Sequence, residues 1–345
     1  MRSIGPRRSI PTRATVIWVV SLTVVSTLLL SSCHALNPWS GIIKVAVVAP
    51  YSGPMTSEGL SMLAGARLAA REYNRNGGLD GYRLEVIAPD ERRAATPDDV
   101  IADPTVLAVV GHLESNSGRV GGIYRRDGIA WLATEVVDSS SGAYPLVAEA
   151  ATVDRVFSAY LQTNVGLSGA DAGQVVAACH AGGEEDGVVL RTSDVHVICG
   201  GEPAALSSNF EPTEARLVCV AAWCDAPEAS YLLGRAEYDA VVPLGAPMDS
   251  ASWKRVSADL GDSTILPPFA ALGYDAVQVV GEAVRRATRR GELSRAAIAG
   301  ELKATDVAGL LGSYGPNGRH DSVAEVHHHT SRESNVLLRR VEERQ

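Results

Sequence analysis

No catalytic signature runs through these 345 residues. A Gly-x-Ser-x-Gly elbow, a Walker loop, a Gly-x-Gly-x-x-Gly turn and a His-Glu-x-x-His pair are all absent, so the common routes to a nucleophile, a bound nucleotide or a metal-activated water have no sequence basis. Neither enzyme nor cofactor is expected. Basic residues are also in deficit, with 31 Lys and Arg against 40 Asp and Glu, a formal charge of -9. That balance argues against nucleic acid, whose phosphates need clustered Lys and Arg. Cysteine is scarce, five in all, and the spacing of Cys179, Cys199, Cys219 and Cys224 fits no zinc motif. What is present is an ordinary globular composition, 46% hydrophobic and 21% charged, and a length sufficient for two domains that each bury a core.

Ala14 to Leu30 is a 17-residue apolar run behind Arg2, Arg7, Arg8 and Arg13, with no acid before it. This is the layout of an export signal. It ends in Leu30-Ser31-Ser32-Cys33, which resembles the lipobox of bacterial lipoproteins. The resemblance implies cleavage after residue 32, a diacylglycerol thioether on Cys33, and a protein on the extracytoplasmic face of the cell membrane. An uncleaved single-pass anchor is the competing reading, for which the run is short. Arg7-Arg8 hints at twin-arginine rather than general export, and the choice stays open. Residues 33–345 keep 27 basic against 40 acidic side chains, a formal -13, so attachment falls to the acyl anchor and not to anionic lipid. Residues 34–41 form a short tether. In an oxidising compartment the other four cysteines serve as two disulfides local to one lobe, with three pairings open.

From Ile43 to Gly111 the chain alternates strand and helix. An apolar strand from Ile43 leads to the turn Tyr51-Ser52-Gly53-Pro54, a helix near Ser57 to Asn74, the turn Asn76-Gly77-Gly78-Leu79-Asp80-Gly81, and a strand from Tyr82 to Ala88. Thr96 to Asp103 carries a cap, a first-turn proline and N-terminal acids, the marks of a helix start. Val106 to Val110 and Gly128 to Ala133 are short buried strands, each running into a polar loop. In a doubly wound sheet such loops converge on one edge, beyond the carboxyl ends of the strands. The groups brought together there are Ser52, Ser115, Asn116, Ser117, Thr134 and Glu135, suited to hydrogen-bonding a small polar molecule. Each could instead be a helix cap serving only the backbone, the reading favoured for Asn116.

The second half is also α/β. Val153 to Leu167 is amphipathic, and strand-like segments lie at 187–190, 195–198, 215–220 and 238–245. Leu272, Ala276, Val279, Ala283 and Ala287 form one apolar helix face. A turn at Gly312 to Gly318 and two strands close the chain. His327-His328-His329 is expected on an exposed final strand, where alternation lets at most two rings converge, and a metal site there is not favoured.

Taken in order, Val45 to Ser57, the Asn76 to Gly81 turn, Gly111-His112-Leu113-Glu114-Ser115-Asn116-Ser117, Ile123 to Ile129, Tyr274-Asp275-Ala276-Val277 and Tyr314-Gly315-Pro316-Asn317-Gly318 resemble the leucine/isoleucine/valine-binding type of periplasmic binding protein. The resemblance implies two doubly wound Rossmann-like lobes joined by a hinge. Residues 42–150 with about 268–312 would form the first lobe, and about 151–267 with 313–345 the second. It further implies a monomeric receptor that closes on an amino acid or related metabolite and presents it to an ABC importer. The family's carboxylate-binding serine falls on Ser115. Its aromatic after the first turn falls near Glu58, and its two head-group residues fall near Glu135 and Val137. These departures leave specificity open. They also support an alternative, a lipoprotein that keeps the fold as a sensor or interaction module without transport.

Overall fold

A computed structural model describes residues 41–53, 55–93, 96–113, 117–137, 141–148, 150–181, 188–191, 195–199, 216–220, 237–244, 251–261, 265–319, 323–329 and 336–342. Cys33, Ser115, Asn116 and Cys224 lie outside them.

The first sheet is wholly parallel. Its strands are β1 (Gly41–Val47), β2 (Tyr82–Ile87), β3 (Val106–Val110), β4 (Ala130–Ala133) and β5 (Tyr144–Pro145), in the order β2-β1-β3-β4-β5. Crossover helices α1 (Thr56–Arg75), α2 (Thr96–Ala102) and α3 (Ser117–Arg126) connect the first four. Alternation along β1 sends Ile43, Val45 and Val47 into one core and Ala46 and Val48 into another. The second of these is closed by Val100 of α2 and by Val120 and Tyr124 of α3. Burial on both faces explains why these strands are continuous apolar runs.

The other face is covered by α1 together with α7 (Pro267–Arg289) and α8 (Arg295–Leu302). Leu266 is extended and Pro267 opens α7, using a residue whose fixed φ suits a first turn and whose missing N–H costs nothing there. Helices α1 and α7 touch backbone to backbone. A Cβ on Gly65 would run into the Ala270 carbonyl oxygen, and one on Gly273 into that of Met62.

The second sheet is mixed. Strands β6 (Val188–Arg191), β7 (Val195–Cys199), β8 (Arg216–Val220), β9 (Tyr238–Val242), β13 (Val323–His329) and β14 (Val336–Glu342) run in the order β14-β13-β9-β8-β7-β6, and of the neighbouring pairs β7-β8 and β8-β9 are parallel and the others antiparallel. One face is covered by α4 (Ala150–Tyr160) and α5 (Gly169–Ala181), through Val153, Val156, Phe157, Tyr160 and Ala172. Between them the chain widens into a π turn, Leu161–Val165.

Two segments that the sequence groups with the second lobe touch the first. Helix α6 (Ala251–Leu260) lies on α1 of the first lobe, where Arg255 Nη1 donates to Glu72 Oε1 at 2.9 Å. The small sheet β10 (Val307–Ala308), β11 (Ser313–Gly315) and β12 (Gly318–Arg319) also stays with the first lobe: Tyr144 Oη donates to the Gly315 carbonyl at 2.8 Å, and Gly318 abuts Pro145. The described chain therefore enters the second sheet again at Val323. Where the lobes meet, Ala148 N–H donates to the Pro243 carbonyl at 3.1 Å.

Candidate functional site

In the order β2-β1-β3-β4-β5 the chain leaves β1 in one direction to reach β2 and returns on its other side to form β3. The loops after β1 and β3 diverge at this switch point, the place where open α/β sheets bind ligands. The site is built from the loops that follow β1, β2, β3 and β4.

The β1 loop turns sharply. Val48 N–H still bonds to the Val110 carbonyl at 2.8 Å, and Tyr51 Oη then donates back to the Val47 carbonyl at 2.7 Å. Gly53 has φ +80, and its carbonyl accepts from Thr56 Oγ1 at 2.7 Å at the entry to α1. Gly59 is needed because a Cβ there would strike the Pro50 carbonyl oxygen. Burial pushes the Tyr51 phenol well above its usual range.

After β2, Asp90 accepts from Ser52 Oγ at 3.1 Å and from the Tyr51 N–H at 3.4 Å. Glu91 donates its own N–H to the Ala49 carbonyl at 3.1 Å, and its Oε2 accepts the Leu113 N–H at 2.9 Å. The β3 loop is thereby held against the β2 loop. Gly111 has φ +136, and a Cβ would collide with the Val48 carbonyl oxygen. Trp131 Nε1 donates to the Gly111 carbonyl at 2.5 Å, Thr134 Oγ1 donates to the His112 carbonyl at 2.8 Å, and His112 Nε2 lies 3.1 Å from Tyr124 Oη. Burial, and secondarily the Glu91 charge, raises the Tyr124 phenol.

The sequence-expected residues divide in three. Ser52 is exposed beside Asp90, and Glu58 is fully buried in the first turn of α1. Thr134 is buried with its proton given to His112, while Glu135 and Val137 are half-buried beyond β4. Val137 packs on the core beneath α2 and α3, and its neighbour Val136 packs on the cores of both lobes. Ser117 opens α3, and Ser115 and Asn116 fall outside the described residues. Sequence reasoning missed Asp90 and Glu91. The available signal was an acid pair at the carboxyl end of a strand next to the switch point.

Elsewhere, Cys179 of α5 is disulfide-bonded to Cys199 of β7, with Cα atoms 5.3 Å apart, and Cys219 is also disulfide-bonded. The histidine run corrects an expectation. It lies on β13, inside the sheet between β9 and β14, and not on an exposed strand. His327 and His329 are buried on one face, where His327 Nε2 sits 2.8 Å from Glu325 Oε2 and His329 stacks on Tyr238. His328 points to the other face, with Nδ1 2.6 Å from Asp239 Oδ1. A depression of about 450 Å³ lined by Asp80, Tyr82, Thr288, Arg289, Gly291 and Leu293 lies at the amino end of β2, the wrong end of the strands for the switch-point site.

Residues 42–183 match the family described as periplasmic binding protein. The Leu/Ile/Val-binding protein of Escherichia coli K12 is 29% identical over 119 residues, 32% of either chain. The Leu/Ile/Val/Thr-binding protein of Salmonella typhimurium is 30% identical over 137 residues, 36% of this chain and 38% of that one. The matched part thus spans about a third of the length of these curated relatives. Among solved structures, the branched-chain amino acid transporter substrate-binding protein LivJ of Streptococcus pneumoniae, in complex with isoleucine, aligns with a TM-score of 0.65 at 17% identity, covering 88% of this chain and all of that one. A solute-binding protein of R. palustris in complex with 4-hydroxybenzoate aligns at 0.62 and 14%, covering 87% and 96%. The chain has the type 1 periplasmic binding protein fold, and its residues 42–183 match the periplasmic binding protein family.

Proposed function

We propose that this protein is an extracytoplasmic solute-binding protein that captures a small polar ligand, an amino acid or related metabolite, between its lobes and delivers it to an ABC importer. The observation that carries this reading is the convergence of the β1, β2, β3 and β4 loops at the switch point of a lobe that meets its partner through the Ala148 to Pro243 crossing. Closure about such a crossing is stabilised by the ligand in proportion to its preference for the closed state. No catalytic step is assigned. The ligand-binding roles of Ser52, Glu58, Ser115, Asn116, Ser117, Thr134, Glu135 and Val137, and a monomeric state, belong to the same proposal.

A panel of amino acids, hydroxy acids and aromatic carboxylates, scored by ligand-induced stabilisation, tests it. A ligand at 100 times its dissociation constant should add about 2.7 kcal/mol. One observation favours the alternative of a transport-independent sensor or interaction module: the Ser52 and Thr134 hydroxyls are already committed to Asp90 and His112. A panel with no stabilising ligand decides for that alternative. Lipid anchoring through Cys33 is proposed from the sequence, and Cys33→Ser is expected to release the protein from the membrane fraction; retention would show the apolar run to be an uncleaved anchor.

A further inference from the structure

Four loops border the first-lobe site, and one residue of the β2 loop, Glu91, is bonded to two of the others. Glu91 is almost fully buried, with its carboxylate shut off from solvent. Its N–H is bound to Ala49 at the end of β1, and Oε2 takes the Leu113 N–H at 2.9 Å in the β3 loop. Oε1 faces His112 Nδ1 at 4.0 Å. His112 carries the connection onward, through Nε2 to Tyr124 of α3 and through its carbonyl to Thr134 at the end of β4. The ends of β1, β2, β3 and β4 are joined through this one residue and its histidine neighbour.

We infer that Glu91 is the positioning residue of the site: by holding the Leu113 amide it fixes the stretch Gly111 to Leu113 that follows β3. This deepens the solute-capture reading and rests on it for the ligand. The residue type follows from the geometry. A charged acceptor holds a backbone N–H more strongly than a neutral one, and the second oxygen is left to face the His112 ring at 4.0 Å. With Gly111 to Leu113 fixed before the ligand arrives, that stretch has less order to acquire on binding, which favours affinity. Glu91 itself contacts no ligand in this scheme, and it acts through Leu113 and His112.

The first test needs no ligand. Amide hydrogen exchange on the full chain should show Leu113 exchanging at least about tenfold faster in Glu91→Ala, while core amides of α1 and α7 stay within about twofold of wild type. Glu91→Gln keeps one carbonyl oxygen for the Leu113 N–H and should return its exchange to within about threefold of wild type. If Glu91→Ala does not fold, Glu91→Asp, an acid one methylene too short, takes its place with the same expectation. Unchanged Leu113 exchange, equal acceleration throughout the core, or no rescue by Gln overturns the inference. The second test uses whichever amino acid stabilises the wild type. Glu91→Ala should weaken it by about tenfold and Glu91→Gln by less than about threefold, and equal affinity in Glu91→Ala overturns the positioning role. An empty panel refutes solute capture alone, and the exchange measurement then decides the role of Glu91 by itself.

Discussion

Asp275 offers the sharpest test of how the first lobe is held together. It lies fully buried on α7, where Oδ1 accepts the Leu310 N–H at 2.7 Å and Oδ2 accepts the Leu311 N–H at 2.9 Å and the Tyr314 hydroxyl at 3.0 Å. Desolvation outweighs those three donors and raises the carboxyl from 3.8 to about 6. For an acid with a raised folded pKa, the folded state binds the extra proton between the two values, so this group's contribution is most favourable below pH 4 and is lost as pH rises through 6. A shift of about two units corresponds to about 3 kcal/mol. Asp275→Asn removes the titration at a local cost. Its one carbonyl oxygen can serve only one of the two amides, and leaving the other unpaired costs about 1–3 kcal/mol. The variant should therefore be less stable than wild type at pH 4 and equal to it or more stable at pH 7. Urea unfolding of both proteins at half-unit steps from pH 4 to 7.5 gives the difference directly, because every other titrating group cancels. A stability difference that stays constant across that range refutes the reasoning, and so does one that shifts in favour of the wild type as pH rises.

Two further predictions concern packing and covalent ties. Gly65→Ala and Gly273→Ala each drive a Cβ into the carbonyl of the facing helix; overpacking of about 1–3 kcal/mol or more should exceed the gain in helix propensity of about 1 kcal/mol, for a net loss in urea unfolding. Gly300→Ala on α8 meets open space and should instead stabilise by up to about 1 kcal/mol, so equal effects at all three positions would show that the α1–α7 crossing is not tight. Replacing Cys179 and Cys199 by Ser opens a link between positions 20 residues apart and should cost about 3 kcal/mol under non-reducing conditions, a difference that reductant should abolish.

Much of this fold is legible in the sequence because its signals are local. The strand ending before Pro50, the Ser52-Gly53 turn and the helix after it are announced within 30 residues. Helices joining β1 to β2, β2 to β3 and β3 to β4 announce a parallel sheet, but its order follows only from which face each helix takes. The second lobe is harder for the same reason. Short apolar runs such as Val195 to Cys199 mark strands, but nothing within them says that β6 pairs with β7 antiparallel while β8 pairs with it parallel. Helix α6 shows the limit clearly. It follows β9 in the chain and is naturally grouped with it, yet its Arg255 pairs with Glu72, 183 residues earlier. His327 and His329 look polar enough for a surface, yet both are buried on a strand inside the sheet, His329 against Tyr238 of β9.

The site residues divide along the same line, and the division limits what a ligand must supply. Ser52 and Thr134 can be picked out from sequence as hydroxyls at strand ends, but their hydrogen-bond partners come from other loops, Asp90 at 38 residues from Ser52 and His112 at 22 from Thr134. A hydroxyl has one proton to give and two lone pairs to receive. Both protons are spent inside the protein, and Thr134 is buried besides. Asp90, having no proton of its own when ionised, offers only acceptors beside Ser52. Ligand atoms meeting the Ser52 edge must therefore be donors, such as an ammonium or a hydroxyl, since a carboxylate there would face lone pair against lone pair. Any anionic end of the ligand has to turn toward N–H groups instead. Within the solute-capture proposal, the Ser52 and Asp90 acceptors favour a ligand that turns a donor end toward the β1 loop.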